Sequence, residues 1–315
     1  MVLAMTKILV TGGTGFLGSA LVKQLVKKNN KVVIFDNNFR GNLQNIKDIK
    51  NKIKFIKGDI RNYNSIKNAL KGVTEVYHLA FINGTSHFYD MPKLVMEVGI
   101  KGTLNIIDAV NENKKIKKFI YASSSEIYQD PDKFPTSEDV IAKLPNTSNP
   151  RYSYASSKIL GEVLTFNYLR SNIKKIIFRP HNIYGPSMGF EHVIPQIVKK
   201  IIDKSKNLRH KKCKIIIQGS GMETRSFCYI DDASKGIVYI AKNGKNNQIY
   251  NIGNQNEIKI RNLIIRIGEF LEVDVEIQNG KLQKGSSARR VPNMLKLKKL
   301  GFTPKINLNL GLKNT

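Results

Sequence analysis

From Lys7 onward the chain alternates short β-branched or aliphatic runs with longer segments in which apolar residues recur every three or four positions. Continuous apolar runs fit strands buried on both faces, and the longer spacing fits helices laid over them. Strands are predicted at 7–11, 31–36, 54–58, 73–79, 118–122 and 174–179, with helices at 17–29, 92–113 and 154–171. Strand and helix in this alternation predict an α/β fold built on a doubly wound parallel sheet. After Arg179, glycine and proline break the regularity, and a helix near 191–205, a strand at 213–218 and a helix at 231–242 predict a smaller mixed α/β lobe. The apolar run 248–252 is able to return to the main sheet.

The first strand, KILVTG, runs straight into GGTGFLGSALVKQL, so Gly12, Gly15 and Gly18 form a G-x-x-G-x-x-G turn that opens a helix. In that setting the first glycine permits the tight turn, the second admits a pyrophosphate to the backbone, and the third lets helix and strand pack closely. The sheet is therefore expected to be of Rossmann type, with 1–180 as the dinucleotide-binding domain and 181–315 mainly a substrate-binding lobe. Phe16 and Leu17 start the helix beside the turn. Asp36 ends the second strand about twenty residues on, where a carboxylate accepts hydrogen bonds from an adenosine ribose and repels a 2′-phosphate, so NAD is the expected cofactor. Arg40 keeps NADP open as an alternative. Asp59 and Ile60, in KGDIRN, are expected on the adenine side.

In RYSYASSKILGE, Tyr154 precedes Lys158 by four residues at the start of a helix, which puts both side chains on one face. A phenol is a poor base at neutral pH, and a nearby ammonium together with an oxidised nicotinamide would stabilise its phenolate. The strand KFIYASSSEIY ends in Ser123, Ser124 and Ser125, which offer a hydroxyl to hold a reacting sugar oxygen against the tyrosine.

With these residues together, the chain resembles the extended short-chain dehydrogenase/reductase family, and within it the nucleotide-sugar epimerases, dehydratases and decarboxylases. TGGTGFLG is similar to that family's cofactor turn, SSSEIY to its serine segment, YASSK to its catalytic pair, RPHNIYGP to its R-x-x-N-x-Y-G-P stretch and ETRSFCYIDDASKGI to its substrate-lobe segment. The resemblance implies that Tyr154 is the base, that Lys158 tunes it and holds the nicotinamide ribose, and that Ser124 shares the hydrogen bond. It further implies that Asn182 contacts a nucleotide-diphosphate-sugar and that Arg225 and Arg290 clamp its phosphates; ordinary surface ion pairs are the other reading of the arginines.

The leading expectation is an NAD-dependent 4-epimerase working through a 4-keto sugar, with a 4,6-dehydratase or a UDP-glucuronate decarboxylase as alternatives and a non-catalytic dinucleotide sensor as a further one. Glu126 bears on that choice, because Ser124-Ser125-Glu126 resembles the triplet of dehydratases and decarboxylases, in which the carboxylate acts on C5; a structural acceptor is the other reading. Gly99 stands where the family usually has asparagine, and Phe81 where a small residue is common. His181 would touch the sugar or pack in the core, and Asn83, Thr85 and His87 would border the sugar pocket. Relatives commonly dimerise through two long helices, here 92–113 and 154–171.

Composition narrows this reading. A chain of 315 residues, 41% hydrophobic, supports a sizeable core. Two cysteines, Cys213 and Cys228, are too few for a disulfide framework, and neither a signal peptide nor an apolar stretch long enough for a membrane is visible, so a cytoplasmic protein is expected. Five dispersed histidines predict no metal. The net charge of +28 is spread along the chain beside many asparagines, which fits a Lys/Asn compositional bias rather than a nucleic-acid or membrane patch.

Overall fold

Successive residues of a strand point to opposite sides of a sheet, and in this chain both sides are apolar. The computed structural model describes residues 6–206, 212–281 and 287–315. In it, β1 (Lys7–Thr11), β2 (Lys31–Asp36), β3 (Ile53–Lys57), β4 (Glu75–His78), β5 (Lys118–Ala122) and β6 (Lys174–Pro180) join Gln248–Ile252 in a seven-stranded sheet. The order is Gln248–Ile252, β6, β5, β4, β1, β2, β3, and every pairing is parallel. Leu9, Val33, Phe35, Val76, Phe119, Tyr121 and Ile177 face one buried cluster, while their neighbours Ile8, Val10, Val32, Ile34, Tyr77, Ile120 and Phe178 face the other. The chain's progression reverses between β1 and β4, which opens a crevice at their carboxyl ends.

The helices cover both faces; Leu43–Lys52 and Tyr63–Ala69 were not predicted, and two of the expected helices also depart from the sequence pattern. The segment expected as one helix over 92–113 is an α-helix at Pro92–Met96, a π-helical stretch at Glu97–Gly102 and an α-helix at Thr103–Glu112. Two glycines explain why it can bulge there. A β-carbon on Gly99 would lie 2.5 Å from Phe81 Cζ and 2.6 Å from Ser157 Cβ, and one on Gly102 would meet Ile60 Cδ1 at 2.5 Å. The second departure is the helix expected from Tyr154, which begins two residues earlier and runs Tyr152–Asn167.

The smaller lobe has its own core of Ile194, Ile197, Ile201, Ile215, Leu263 and Ile267 among others. Helices Val193–Ser205 and Ile260–Phe270 pack on a parallel pair, Lys212–Ile216 with Asp274–Gln278. A separate three-stranded sheet sets Thr224–Ser226 between Glu257–Lys259 and Arg289–Arg290, and so carries Arg225 and Arg290 side by side. Among the described residues, no helix is long and apolar enough to cross a membrane.

Candidate active site

The crevice between β1 and β4 is a cleft of about 330 Å³ bordered by Gly12, Gly15, Phe16, Leu17, Gly18, Asp36, Asp59 and Ile60, which are the residues expected around the dinucleotide. The glycine turn is tight. Gly12 has φ +72°, and a β-carbon there would sit 2.7 Å from the Ala80 nitrogen. A β-carbon on Gly18 would collide with the Gly12 carbonyl, whereas one on Gly15 would meet only that carbonyl at 3.2 Å. The turn is thus closed on its protein side at Gly12 and Gly18 and lies open to the cleft at Gly15, the arrangement a pyrophosphate requires.

Asp36 is buried and accepts hydrogen bonds from the Thr14 and Asn38 backbone amides at 3.0 and 2.8 Å. These fix a carboxylate at the cleft wall with lone pairs left for ribose hydroxyls. Arg40, the residue that kept NADP open, turns elsewhere. Its guanidinium meets His87 Nδ1 at 3.1 Å and Glu191 Oε2 at 3.0 Å, so it bridges the two lobes across the cleft mouth. Asp59 is held by Arg61, with Nη2 to Oδ2 at 2.8 Å, and that hydrogen bond outweighs burial to keep its carboxyl below the usual range.

On the other side of β4, β5 ends in the serine run and Tyr152–Asn167 packs against it. Of the three serines, Ser124 accepts from the Glu126 amide at 3.1 Å and its hydroxyl is close enough to the Tyr154 phenol to favour the phenolate, while the Ser123 hydroxyl is buried without a partner and Ser125 is buried in the following turn. Burial pushes the Tyr154 phenol up, and the Ser124 hydrogen bond opposes it. Lys158 is buried one turn on, and its Nζ donates to the Ala122 carbonyl at 2.6 Å. Burial draws its pKa down to about 7. Serine, tyrosine and lysine are therefore brought together as the sequence predicts, next to Phe81, which lines the cleft.

Glu126 lies beside them, in the turn Ser125–Tyr128. Arg290 Nη1 donates to its Oε1 at 2.6 Å, and Arg151 Nη2 is 3.8 Å from its Oε2. Burial raises the Glu126 carboxyl, but Arg290, Arg151 and Arg225 together hold it below the ordinary value. Arg225 donates to the Thr224 and Ser287 carbonyls at 2.8 Å each and pairs with no carboxylate among the described residues. Burial lowers its pKa to about 10. Two guanidiniums thus flank one carboxylate and the charge of a third acts on it, so positive charge is in excess around Glu126.

The remaining candidates divide. Asn182, at φ +39°, donates from Nδ2 to the Ser226 carbonyl at 3.0 Å, next to the pairing of Ile183–Tyr184 with Cys228–Tyr229. His181 is a core residue: it is buried, its Nε2 lies 3.0 Å from Asn251 Oδ1, and burial lowers its pKa to about 3. Sequence reasoning missed Arg151. Its place immediately before the helix that carries Tyr154 and Lys158 was the available signal, but nothing local marks it as a partner of Glu126. It also missed the buried pair of Arg179 with Glu162, at 2.7 Å, which anchors that helix to β6.

Comparison with known proteins bears on this geometry. The chain is 30% identical to a UDP-N-acetyl-α-D-glucosaminuronate decarboxylase of Bacillus cytotoxicus, over 98% of this chain and 96% of that protein. It superposes on UDP-glucose 4-epimerase of Thermotoga maritima with a TM-score of 0.87 at 25% identity, covering 98% of this chain and 97% of the other. A dTDP-glucose 4,6-dehydratase of Streptomyces venezuelae, solved with NAD bound, gives 0.86 at 25% identity, covering 98% and 95%. Residues 8–253 match the NAD-dependent epimerase/dehydratase family. The chain therefore belongs to the NAD-dependent epimerase/dehydratase family, with NAD as its cofactor.

Proposed function

We propose that this protein decarboxylates a nucleoside-diphosphate hexuronate through transient oxidation at C4 of the sugar. The observation that carries this reading is the cationic cluster around Glu126, where Arg290, Arg151 and Arg225, which pairs with no carboxylate among the described residues, lie close enough for the Glu126 and Arg290 charges to act on Tyr154. A 4-epimerase acting on a neutral hexose needs one anion site, for the diphosphate. A hexuronate brings a second anion, and Arg225 and Arg290 side by side on their small sheet supply two guanidiniums. On this reading decarboxylation ranks ahead of epimerisation, the order opposite to the one the sequence suggested, and the similarity to the Bacillus relative supports it.

Gly12, Gly15, Gly18, Phe16 and Leu17 would hold the pyrophosphate, Asp36 the adenosine ribose, Asp59 and Ile60 the adenine side, and Lys158 with Tyr154 the nicotinamide end. Bound there, NAD⁺ supplies a positive charge next to Tyr154 and a reversible hydride acceptor at C4. Tyr154 takes the proton of the C4 hydroxyl, with Ser124 holding that oxygen. The C4 ketone makes the C5 carboxylate a β-keto acid, so the C5–C6 bond breaks, its electron pair enters a C4 enolate, and CO₂ leaves. Ser124 and protonated Tyr154 stabilise the enolate oxygen. A solvent-derived proton then adds at C5, and return of the hydride to C4, with Tyr154 giving its proton back to O4, would restore the C4 hydroxyl and leave the cofactor oxidised. Glu126 keeps the Arg290 guanidinium turned towards the site.

Val163, Tyr168 and Met96, exposed on and beside the two helices expected to pair, are consistent with a homodimer, which light scattering would detect. The reaction is tested by incubating the protein in D₂O with NAD⁺ and, separately, UDP-glucuronate, UDP-N-acetylglucosaminuronate, UDP-glucose and dTDP-glucose, followed by NMR. The expected result is a UDP-pentose carrying deuterium at C5. A C4 epimer without deuterium would return the protein to the epimerases, and a deuterated 6-deoxy-4-keto sugar would make Glu126 a catalytic base.

A further inference from the structure

We propose that Phe81 is a positioning residue for the catalytic pair, its ring supporting the Lys158 ammonium and bracing Tyr154 in a space that Gly99 leaves open. The inference rests on Tyr154 and Lys158 being that pair and is independent of which sugar is processed.

Phe81 follows β4 by three residues and lines the cleft. Lys158 Nζ lies 3.9 Å from the centroid of its ring, closer than to Tyr121 at 5.1 Å or Tyr154 at 5.7 Å. Phe81 and Tyr154 meet edge to face, with centroids 5.0 Å apart and planes at 83°. Phe88 stacks on the same tyrosine at 4.7 Å. An ammonium has three donors to satisfy, and here the Ala122 carbonyl takes one while aromatic faces stand where water would otherwise be. The ring can reach this position because residue 99 has no side chain: a β-carbon there would press on Phe81 Cζ at 2.5 Å. The π-helical stretch Glu97–Gly102 carries Gly99 to that point, and such bulges often sit at functional sites.

The charged and titratable groups around Lys158 leave this role open to Phe81. Glu162, one turn along the same helix, is engaged by Arg179 through both carboxylate oxygens, at 2.9 and 2.7 Å. His78 on β4 is buried between Thr11 and Thr103, and burial, with the Lys158 charge, lowers its pKa to about 3, so it is neutral. Tyr121 on β5 and Tyr154 have phenols that burial pushes up, and they are neutral as well. With burial pulling Lys158 itself down to about 7, a ring face at 3.9 Å favours the charged form that the phenolate needs.

The test is a pH titration by NMR of NAD-bound protein labelled with ¹³C at the lysine ε carbons, the Lys158 signal being identified by its loss in Lys158→Met. In Phe81→Leu and Phe81→Met, which fill the space without a ring, the Lys158 midpoint should fall by about one pH unit. Phe81→Tyr, which keeps the ring, should stay within about 0.3 of the parent. Unchanged midpoints in both the Leu and Met variants would overturn the proposal, as would an equal fall in Phe81→Tyr, because a purely space-filling residue leaves the lysine's titration where it was. The readout needs no sugar substrate, so it stands or fails separately from the decarboxylase reading.

Discussion

On the cofactor side of the cleft the constraints lie in backbone within one stretch of chain: Gly12, Gly15 and Gly18 span a single turn, and Asp36 is fixed by two amides of adjoining loops. On the substrate side they lie in side chains drawn from distant segments, with Glu126 meeting Arg290 across 164 residues. A backbone site tolerates almost no added volume, because neighbouring peptide groups cannot move aside. A site of long charged side chains tolerates volume but depends on charge balance, since each buried charge relies on its partners. The two halves should therefore fail in different ways.

Gly18→Ala is the sharpest probe of the first half. Its β-carbon would collide with the Gly12 carbonyl, which is backbone. The expected loss is about 3 kcal/mol of stability, with NAD binding weakened in parallel. Thermal unfolding and a titration with NADH followed by fluorescence would measure both. A folded variant of unchanged melting temperature and NADH affinity would show that the turn can relax, and would remove the distinction between the two halves.

Arg290→Gln addresses the second half. It leaves Glu126 with Arg151 at 3.8 Å as its remaining close cation, so the Glu126 carboxyl should rise and the pocket lose its second anion site. We expect about a fiftyfold fall in kcat/KM for a UDP-hexuronate, some 2 kcal/mol, with NADH affinity unchanged. UDP binding separates the roles, because Arg225→Gln should weaken UDP alone while Arg290→Gln should not. Equal weakening of UDP by both variants would make Arg290 the phosphate clamp that the sequence suggested and would remove the main support for a carboxylate at C5.

This contrast also explains what was legible in the sequence. β1, β2 and β5 were readable to the residue, because strands buried on both faces are near-continuous apolar runs between turn residues. The turn, Asp36 and the Tyr154–Lys158 spacing were readable because each is set by local geometry along the chain. The π-helical stretch was not, since its apolar spacing still fits a helix and only the packing of Phe81 and Ser157 against Gly99 reveals why it bulges. Nor was the Glu126–Arg290–Arg151 group, whose members come from the turn after β5, the start of the catalytic helix and the small three-stranded sheet. His181 was ambiguous for the same reason, and its hydrogen bond to Asn251, on the strand that returns to the sheet, assigns it to the core.

Arg40 lies between the two regimes. It comes from the loop that follows Asp36, yet its guanidinium reaches His87 and, across the cleft, Glu191 of the smaller lobe. Both partners of the ion pair are partly exposed, with side-chain exposures of 21% and 35%, so the pair belongs to the weak class. Arg40→Gln should therefore cost no more than about 1 kcal/mol in stability. Its effect should fall on closure: NADH should dissociate several-fold faster, by stopped-flow fluorescence, because a contact made across the cleft mouth opposes opening. The preference for NAD over NADP should not move, since in this arrangement Asp36 excludes a 2′-phosphate and Arg40 is turned away from it. If Arg40→Gln instead weakened NADP selectively, the arginine would have to leave Glu191 when the cofactor enters. The mouth of the cleft would then belong with the substrate half, where charge rather than backbone sets the outcome.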